Sequence, residues 1–286
     1  MSPFELAQPA SLEEALALLD RDDTDVRPMG GGTALMLMMK AAILRPRRLV
    51  SLRGLGPDYR AIALRPDGEL RIGALATLSS LEHSGDVRRA APAICRAMRR
   101  LSNVRVRNVA TVGGNLAHAD PHMDLPPLLA ALDARVVAAG ASCTRTIPVA
   151  ELIAGYYETV LDKDELIVEL AVPAQAGWRS NYLKITTRSA DDWPALGVAV
   201  NLRLDGGRVR ESRLFVGAAT DRPTRLAQAE AVLAGQPLEE AVLRRAAEAA
   251  AEEVECIGDD QGSAAYKKEL LRVNLARAIA PLAEAR

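Results

Sequence analysis

Thr111-Val112-Gly113-Gly114-Asn115-Leu116-Ala117-His118-Ala119-Asp120-Pro121, followed by Asp124 and Pro126-Pro127, is the stretch on which the reading of this chain turns. Paired glycines let bare backbone approach a ligand, and the flanking Thr and Asn add short hydrogen-bonding side chains. The polar, rigid continuation is costly between apolar segments, which favours a binding role over a plain loop. Earlier in the chain stands a second glycine turn, Met29-Gly30-Gly31-Gly32-Thr33-Ala34. Alone it reads equally as strand-to-helix punctuation. Together the two turns read as a bipartite grip on the diphosphate of a dinucleotide.

Familiar phosphate motifs do not account for them. A Walker loop needs Lys directly after its last glycine, but the nearest lysine, Lys40, lies eight residues beyond Gly32. A Rossmann fingerprint spaces its glycines, and here they are contiguous. His118 and His122 have helical i, i+4 spacing, yet Pro121 interrupts them and no Glu follows His118, so a zincin reading fails.

Bulk composition narrows the classes further. The 286 residues suffice for two domains with a real core, and 49% hydrophobic content fits a globular protein. Lys and Arg number 36 against 37 Asp and Glu, so no long-range field favours nucleic acid or an anionic membrane. The N-terminus lacks a basic, apolar leader, and no window has the length of a spanning helix; the expected location is cytoplasmic. Cys95, Cys143 and Cys256 are far apart and only three histidines are present, so no metal or iron–sulfur cluster is expected on this chain.

Along the chain, Ser11-Leu12-Glu13-Glu14 forms a capping box before a helix. Arg47 to Leu52 and Leu70 to Ile72 read as strands, and the first glycine turn joins a strand near Val26 to a helix from about Ala34 to Ala42. A single helix is expected from Val87 to Leu101. Arg96, Arg99, Arg100, Arg105 and Arg107 crowd there as a solvated face, a diphosphate counter-charge or a partner surface. Pro126-Pro127 open a helix to Leu132, and a hairpin surrounds Gly140. A second unit begins near Pro173 to Gly177. In it Val198, Val200, Leu202 and Leu204 alternate, Asp205-Gly206 turns, and Arg208 to Gly217 returns. Helices follow from Leu226, from Pro237 to Glu255, and from a Ser263 cap through Leu282. The pattern argues α+β.

With these residues laid out, Pro28 to Leu35, Met38-Met39-Lys40 and Arg107 to Pro121 resemble the FAD-binding medium subunit of molybdenum hydroxylases, of the xanthine dehydrogenase and carbon monoxide dehydrogenase type. Gly262-Ser263-Ala264-Ala265-Tyr266-Lys267-Lys268 is similar to that family's C-terminal domain. The resemblance implies a two-subdomain FAD-binding domain of the vanillyl-alcohol-oxidase (PCMH) type over 1–175, divided near 56, and a small C-terminal antiparallel sheet plus helices over 178–286.

It further implies that Met29, Gly30, Gly31, Gly32, Thr33 and Ala34, with Thr111, Val112, Gly113, Gly114 and Asn115, hold the FAD diphosphate through backbone N–H groups. Asp124 would receive a ribityl or adenosine hydroxyl, Leu166 and Lys184 would contact the isoalloxazine, and Trp193 would stand beside it. For Leu166 a core position, for Lys184 a solvated strand and for Trp193 plain packing are the competing readings. Ala34 departs from the polar residue usual there, and no cysteine group marks the iron–sulfur insertion of the benzoyl-CoA reductase branch.

The implied function is electron relay, from two [2Fe–2S] clusters of a small partner subunit to FAD and on to an external acceptor. Substrate would be oxidised at a molybdenum cofactor in a large subunit, within a dimer of heterotrimers. No general acid or base is then expected here, and Tyr156-Tyr157 are expected to border the acceptor entrance. A self-contained flavoprotein oxidase or reductase and a flavin-free scaffold subunit are the alternatives.

Overall fold

A computed structural model describes residues 2–284. The N-terminal part is β-α-β-α-β. Strands β1 (Glu5–Ala7), β2 (Val26–Met29) and β3 (Arg48–Ser51) form a parallel sheet in the order β1-β3-β2, joined by helices Leu12–Ala17 and Thr33–Lys40. Ser11 caps the first helix by accepting the Glu14 N–H at 3.1 Å, and the Glu14 carboxylate accepts the Ala10 N–H at 2.8 Å. The box is shifted one residue outward from the usual reciprocal pair. Ala15, Leu16, Leu19, Val26, Val50 and Leu52 bury one face of this unit against Leu75 and Leu166 of the next.

The middle of the chain builds a second, antiparallel sheet. β4 (Ile62–Leu64), β5 (Leu70–Gly73), β6 (Arg135–Ala139) and β7 (Thr144–Pro148) precede a small hairpin of β8 (Ile153–Gly155) and β9 (Glu158–Thr159); β10 (Leu166–Val172) then returns to the centre. The order is β4-β5-β10-β6-β7. Its largest core cluster includes Leu70, Ile72, Leu116, Leu128, Val136 and Leu170, each fully buried. Each such side chain contributes about 1.5–3 kcal/mol by leaving water.

Here the expected helix from Val87 to Leu101 is two helices, Gly85–Ala90 and Pro92–Met98. Pro92 has no N–H to continue the first, and Ala91 turns out of helical geometry at φ −146°, ψ 70°. The arginines around them tie elements together: Arg107 donates to Glu82 at 3.0 Å and to the Ser102 carbonyl at 2.6 Å, and Arg96 to the Ser180 carbonyl.

The C-terminal unit is a meander of β11 (Trp178–Thr186), β12 (Pro194–Asp205), β13 (Arg208–Gly217) and β14 (Thr224–Arg225). Gly206 and Gly207, at φ +53° and +79°, close the β12–β13 hairpin as a two-residue turn. Helices Ala227–Leu233, Glu240–Glu253 and Ala264–Ile279 follow, the second starting later than Pro237. The last ends where Pro281 begins the short helix Pro281–Glu284.

The alternation expected in β12 holds, and both of its faces are buried from Pro194 to Leu202. Val198, Val200 and Leu202 face the C-terminal helices, while Ala199 packs on Ala130 and Ala131. Helix Leu125–Ala131, buried at every residue, is thus a wedge between the second sheet and the third. Gly217 permits its approach; a Cβ there would stand 2.9 Å from Pro127 Cγ. The fold is α+β, as the sequence pattern indicated.

Candidate functional site

The two glycine turns, far apart in sequence, meet in space. A Cβ on Gly30 would stand 2.6 Å from Thr111 Oγ1, and one on Gly31 only 2.1 Å from the Val109 carbonyl oxygen. Gly30 and Gly31 therefore lack side chains so that one turn can lie against the other. Gly32, at φ +72°, takes a left-handed conformation and caps the helix Thr33–Lys40 without any side-chain hydrogen bond.

The donors of the two turns are disposed differently. Backbone N–H groups of Gly30, Gly31, Gly32 and Thr33 find no acceptor among the described residues. They lie at and just before the N-terminus of the helix Thr33–Lys40, a position that favours an anion. In the second turn four of the five N–H groups expected to cradle the diphosphate have acceptors within the fold. Val112 N–H donates to the Ala76 carbonyl at 2.9 Å, Gly113 to Ala74 at 2.8 Å, Asn115 to Thr111 at 2.9 Å, and Gly114 to Thr111 Oγ1 at 3.2 Å. These bonds hold the helix Val112–His118 in place, and of the five only the Thr111 N–H finds no acceptor among the described residues.

Asn115 Oδ1 is sealed from solvent with no donor, while its amide reaches Met123 Sδ at 3.0 Å. An orphaned buried acceptor in the helix of one turn and a row of N–H groups without acceptors in the other fit a dinucleotide that both donates hydroxyls and presents phosphate oxygens.

Other expected site residues have partners of their own. Asp124 Oδ2 accepts from Lys184 Nζ at 2.9 Å, and Asp124 Oδ1 from the Tyr182 hydroxyl at 2.8 Å; Lys184 also donates to the Arg100 carbonyl. Asp124 and Lys184 thus pair with each other, and each keeps a second partner in the fold. Complete burial raises the Asp124 carboxyl above its ordinary range, with Lys184 and Tyr182 offsetting part of that; the same burial, with Asp124 beside it, drives the Tyr182 phenol well up.

Leu166 is buried among Leu16, Val50 and Leu75, in the core position that competed with flavin contact. Met29 lies against Gly32, and Ala34 is half-buried in the first turn of the helix. Trp193 is 42% exposed, its ring edge-on to His122 with centroids 5.5 Å apart. Tyr156 and Tyr157 are both exposed. Tyr157, at φ +56°, donates its hydroxyl to Asp120 at 2.6 Å and packs its ring on His118.

Sequence reasoning passed over Tyr182, and over Asp120, His122, Asp259 and Lys267 as a connected group. Its one signal was a lysine, Lys267, set within the buried face of the last helix.

Comparison with known proteins agrees with this geometry. Residues 2–175 match the FAD-binding domain in molybdopterin dehydrogenase, and residues 181–282 match the CO dehydrogenase flavoprotein C-terminal domain. The chain belongs to this family, and it is an FAD-binding oxidoreductase subunit. It is 32% identical to the carbon monoxide dehydrogenase medium chain of Hydrogenophaga pseudoflava, over 96% of each chain. It is 28% identical to the glyceraldehyde dehydrogenase medium chain of Sulfolobus acidocaldarius, over 94% of this chain and 95% of that one. Among solved structures, a chain of the Hydrogenophaga pseudoflava carbon monoxide dehydrogenase lacking the Mo-pyranopterin moiety superposes with a TM-score of 0.93 at 33% identity, covering 98% of both. No helix among the described residues is long and apolar enough to cross a membrane.

Proposed function

We propose that this chain is the electron-relaying FAD subunit of a molybdenum-containing hydroxylase or dehydrogenase, taking electrons from [2Fe–2S] clusters of a small partner subunit and passing them to an external acceptor. The observation that carries the reading is the contact of the two glycine turns, with N–H groups on Gly30 to Thr33 that find no acceptor among the described residues, and an orphaned Asn115 Oδ1 in the helix that the second turn opens. Those N–H groups hold the diphosphate at the N-terminus of the helix Thr33–Lys40, with the Thr111 hydroxyl alongside, and Asn115 accepts from the cofactor. FAD supplies the capacity to accept electrons singly and release them singly or in pairs. The chain itself fixes the cofactor and excludes water, and no side chain serves as acid or base.

Gly113 and Gly114 support the turn from inside, and Asp124 with Lys184 pins the wedge helix to the C-terminal sheet. Trp193 stands beside the flavin, and Tyr156 and Tyr157 border the entrance of the acceptor. The FAD-binding domain ends near 175, with its subdomains meeting near 56, and the C-terminal domain begins at 178. A large molybdenum-cofactor subunit completes the complex, as a dimer of heterotrimers in the cytoplasm. The medium chains it resembles belong to carbon monoxide and glyceraldehyde dehydrogenases, so the substrate is chosen in the large subunit.

Native purification followed by absorption spectroscopy tests this. A brown complex of three polypeptides with flavin and iron–sulfur bands is the expected result. A yellow chain purifying alone would make it a self-contained flavoprotein, and a colourless complex a scaffold.

A further inference from the structure

His122 stands between two carboxylates, one two residues before it and one 137 residues after it. Its Nδ1 is 3.2 Å from Asp120 Oδ1 and its Nε2 is 2.9 Å from Asp259 Oδ2. A neutral imidazole has one N–H and one lone pair, so it would press a lone pair against one of these oxygens; only the imidazolium donates to both.

The charges around it agree. Asp120 also accepts the Tyr157 hydroxyl, and Asp259 also accepts from Lys267, which is fully buried and donates to the Ala218 carbonyl at 2.6 Å. With the ring protonated, two carboxylates face two cations; without it, one negative charge in a largely enclosed cluster is uncompensated. Burial alone would lower the His122 ring, but the hydrogen bonds to Asp120 and Asp259 outweigh it and the ring is raised above its usual 6.5. His118, four residues earlier and 3.9 Å from Asp120, has no such bonds, and burial lowers it. Of the remaining groups nearby, Tyr156 feels Asp259 and Asp221, and Asp192 is engaged by Arg188 and by the Trp193 N–H.

The ring joins three segments that the chain keeps apart. Asp120 and His122 follow the helix opened by the second glycine turn, Asp259 lies in the C-terminal unit, and Trp193 packs its ring on His122 from the β11–β12 connection. The Ala218 N–H, donating to the Pro121 carbonyl at 3.0 Å, runs alongside.

We propose that His122 is carried as an imidazolium at neutral pH and acts as a positioning residue, clamping the loop after the second glycine turn to the C-terminal unit and holding Trp193 at the seam. Loss of its proton releases the clamp and frees the Trp193 loop. The inference rests on the fold's own contacts and goes beyond the flavin reading, so it is tested with or without FAD bound.

The full chain contains only three histidines, which suits ring-15N histidine NMR. Titrated from about pH 5 to about pH 9, with His83→Gln and His118→Gln for assignment, the His122 ring is expected to keep imidazolium shifts at pH 7 and to lose them above its ordinary midpoint. In a Trp178→Phe background the Trp193 emission is expected to change with the same midpoint, and that change to vanish in His122→Gln. Neutral-tautomer shifts for His122 at pH 7 overturn the proposal, even should His122→Gln fail to fold. Trp193 emission that ignores the His122 titration overturns the positioning role.

Discussion

At Asn115 a carbonyl oxygen is sealed from water with nothing donating to it. Such an acceptor costs stability until a ligand meets it. Asn115→Ala is therefore expected to change the stability of the flavin-free chain by less than about 1 kcal/mol and to weaken FAD binding about tenfold, the worth of one hydrogen bond. Urea denaturation and a fluorescence titration with FAD measure the two; undiminished affinity would remove Asn115 from the site. Gly31 is a contrasting residue. Its added Cβ would meet backbone at 2.1 Å, and backbone on both sides has little room to yield. Gly31→Ala should destabilise by about 1–3 kcal/mol and abolish flavin retention, whereas Gly56→Ala, which meets nothing within 4 Å, should be near neutral. Gly113 is a poor probe of binding by the same measure. A Cβ there would lie 2.8 Å from that of Ala74, so bulk tests the fold before it tests the ligand.

Among the elements, the wedge helix Leu125–Ala131 joins the molecule's halves, and a buried ion pair holds its entry. Asp124 and Lys184 side chains are 5% and 3% exposed. Water therefore cannot take over from a lost partner. Lys184→Met is expected to cost about 3–5 kcal/mol, because it strands the Asp124 carboxylate. Asp124→Asn should cost a similar amount by stranding the ammonium. Combining the two should recover at least half of the summed loss, and a double-mutant cycle by urea denaturation reads the coupling. Additive costs would mean that the two groups act independently. The same helix explains why β12 is buried on both faces: one face meets the C-terminal helices and the other meets Ala130 and Ala131.

For the whole molecule, the seam between the cofactor-binding part and the C-terminal unit makes stability depend on pH from both sides. For Asp120 and Asp259 burial opposes ionisation, but hydrogen bonds from His122 and Tyr157 to the first, and from Lys267, the Gln261 N–H and His122 to the second, hold both below the usual carboxylate value. A depressed carboxyl stabilises the fold above its unfolded value of about 3.8–3.9. That stability is lost as pH falls through the folded value, so the urea midpoint should drop in acid, and Asp259→Asn should flatten the drop. His122 has the opposite sign: raised in the fold, it stabilises fully below about 6.5, and its contribution fades as pH rises through the folded value. A stability plateau between these limbs is the expected profile, and a flat acid limb would show that the seam carboxylates are not held in their charged form.

The glycine turns, the capped helices, the hairpin at Gly206 and the α+β class were legible from residues alone, because each rests on local rules of backbone conformation and hydrophobic period. The family resemblance was legible for the same reason, as its motifs are contiguous. Pro92 splitting a helix was also local, and was passed over in favour of the apolar period running through it. Tertiary structure alone decided what each polar group does. Whether a Gly113 N–H is free for phosphate depends on Ala74, and whether Lys184 is a spare cation depends on Asp124. Whether His122 is charged depends on Asp259, 137 residues further along the chain. Sequence lists donors and acceptors, but only folding brings each one to the partner that satisfies it or leaves it, as at Gly30 to Thr33 and at Asn115, without one among the described residues.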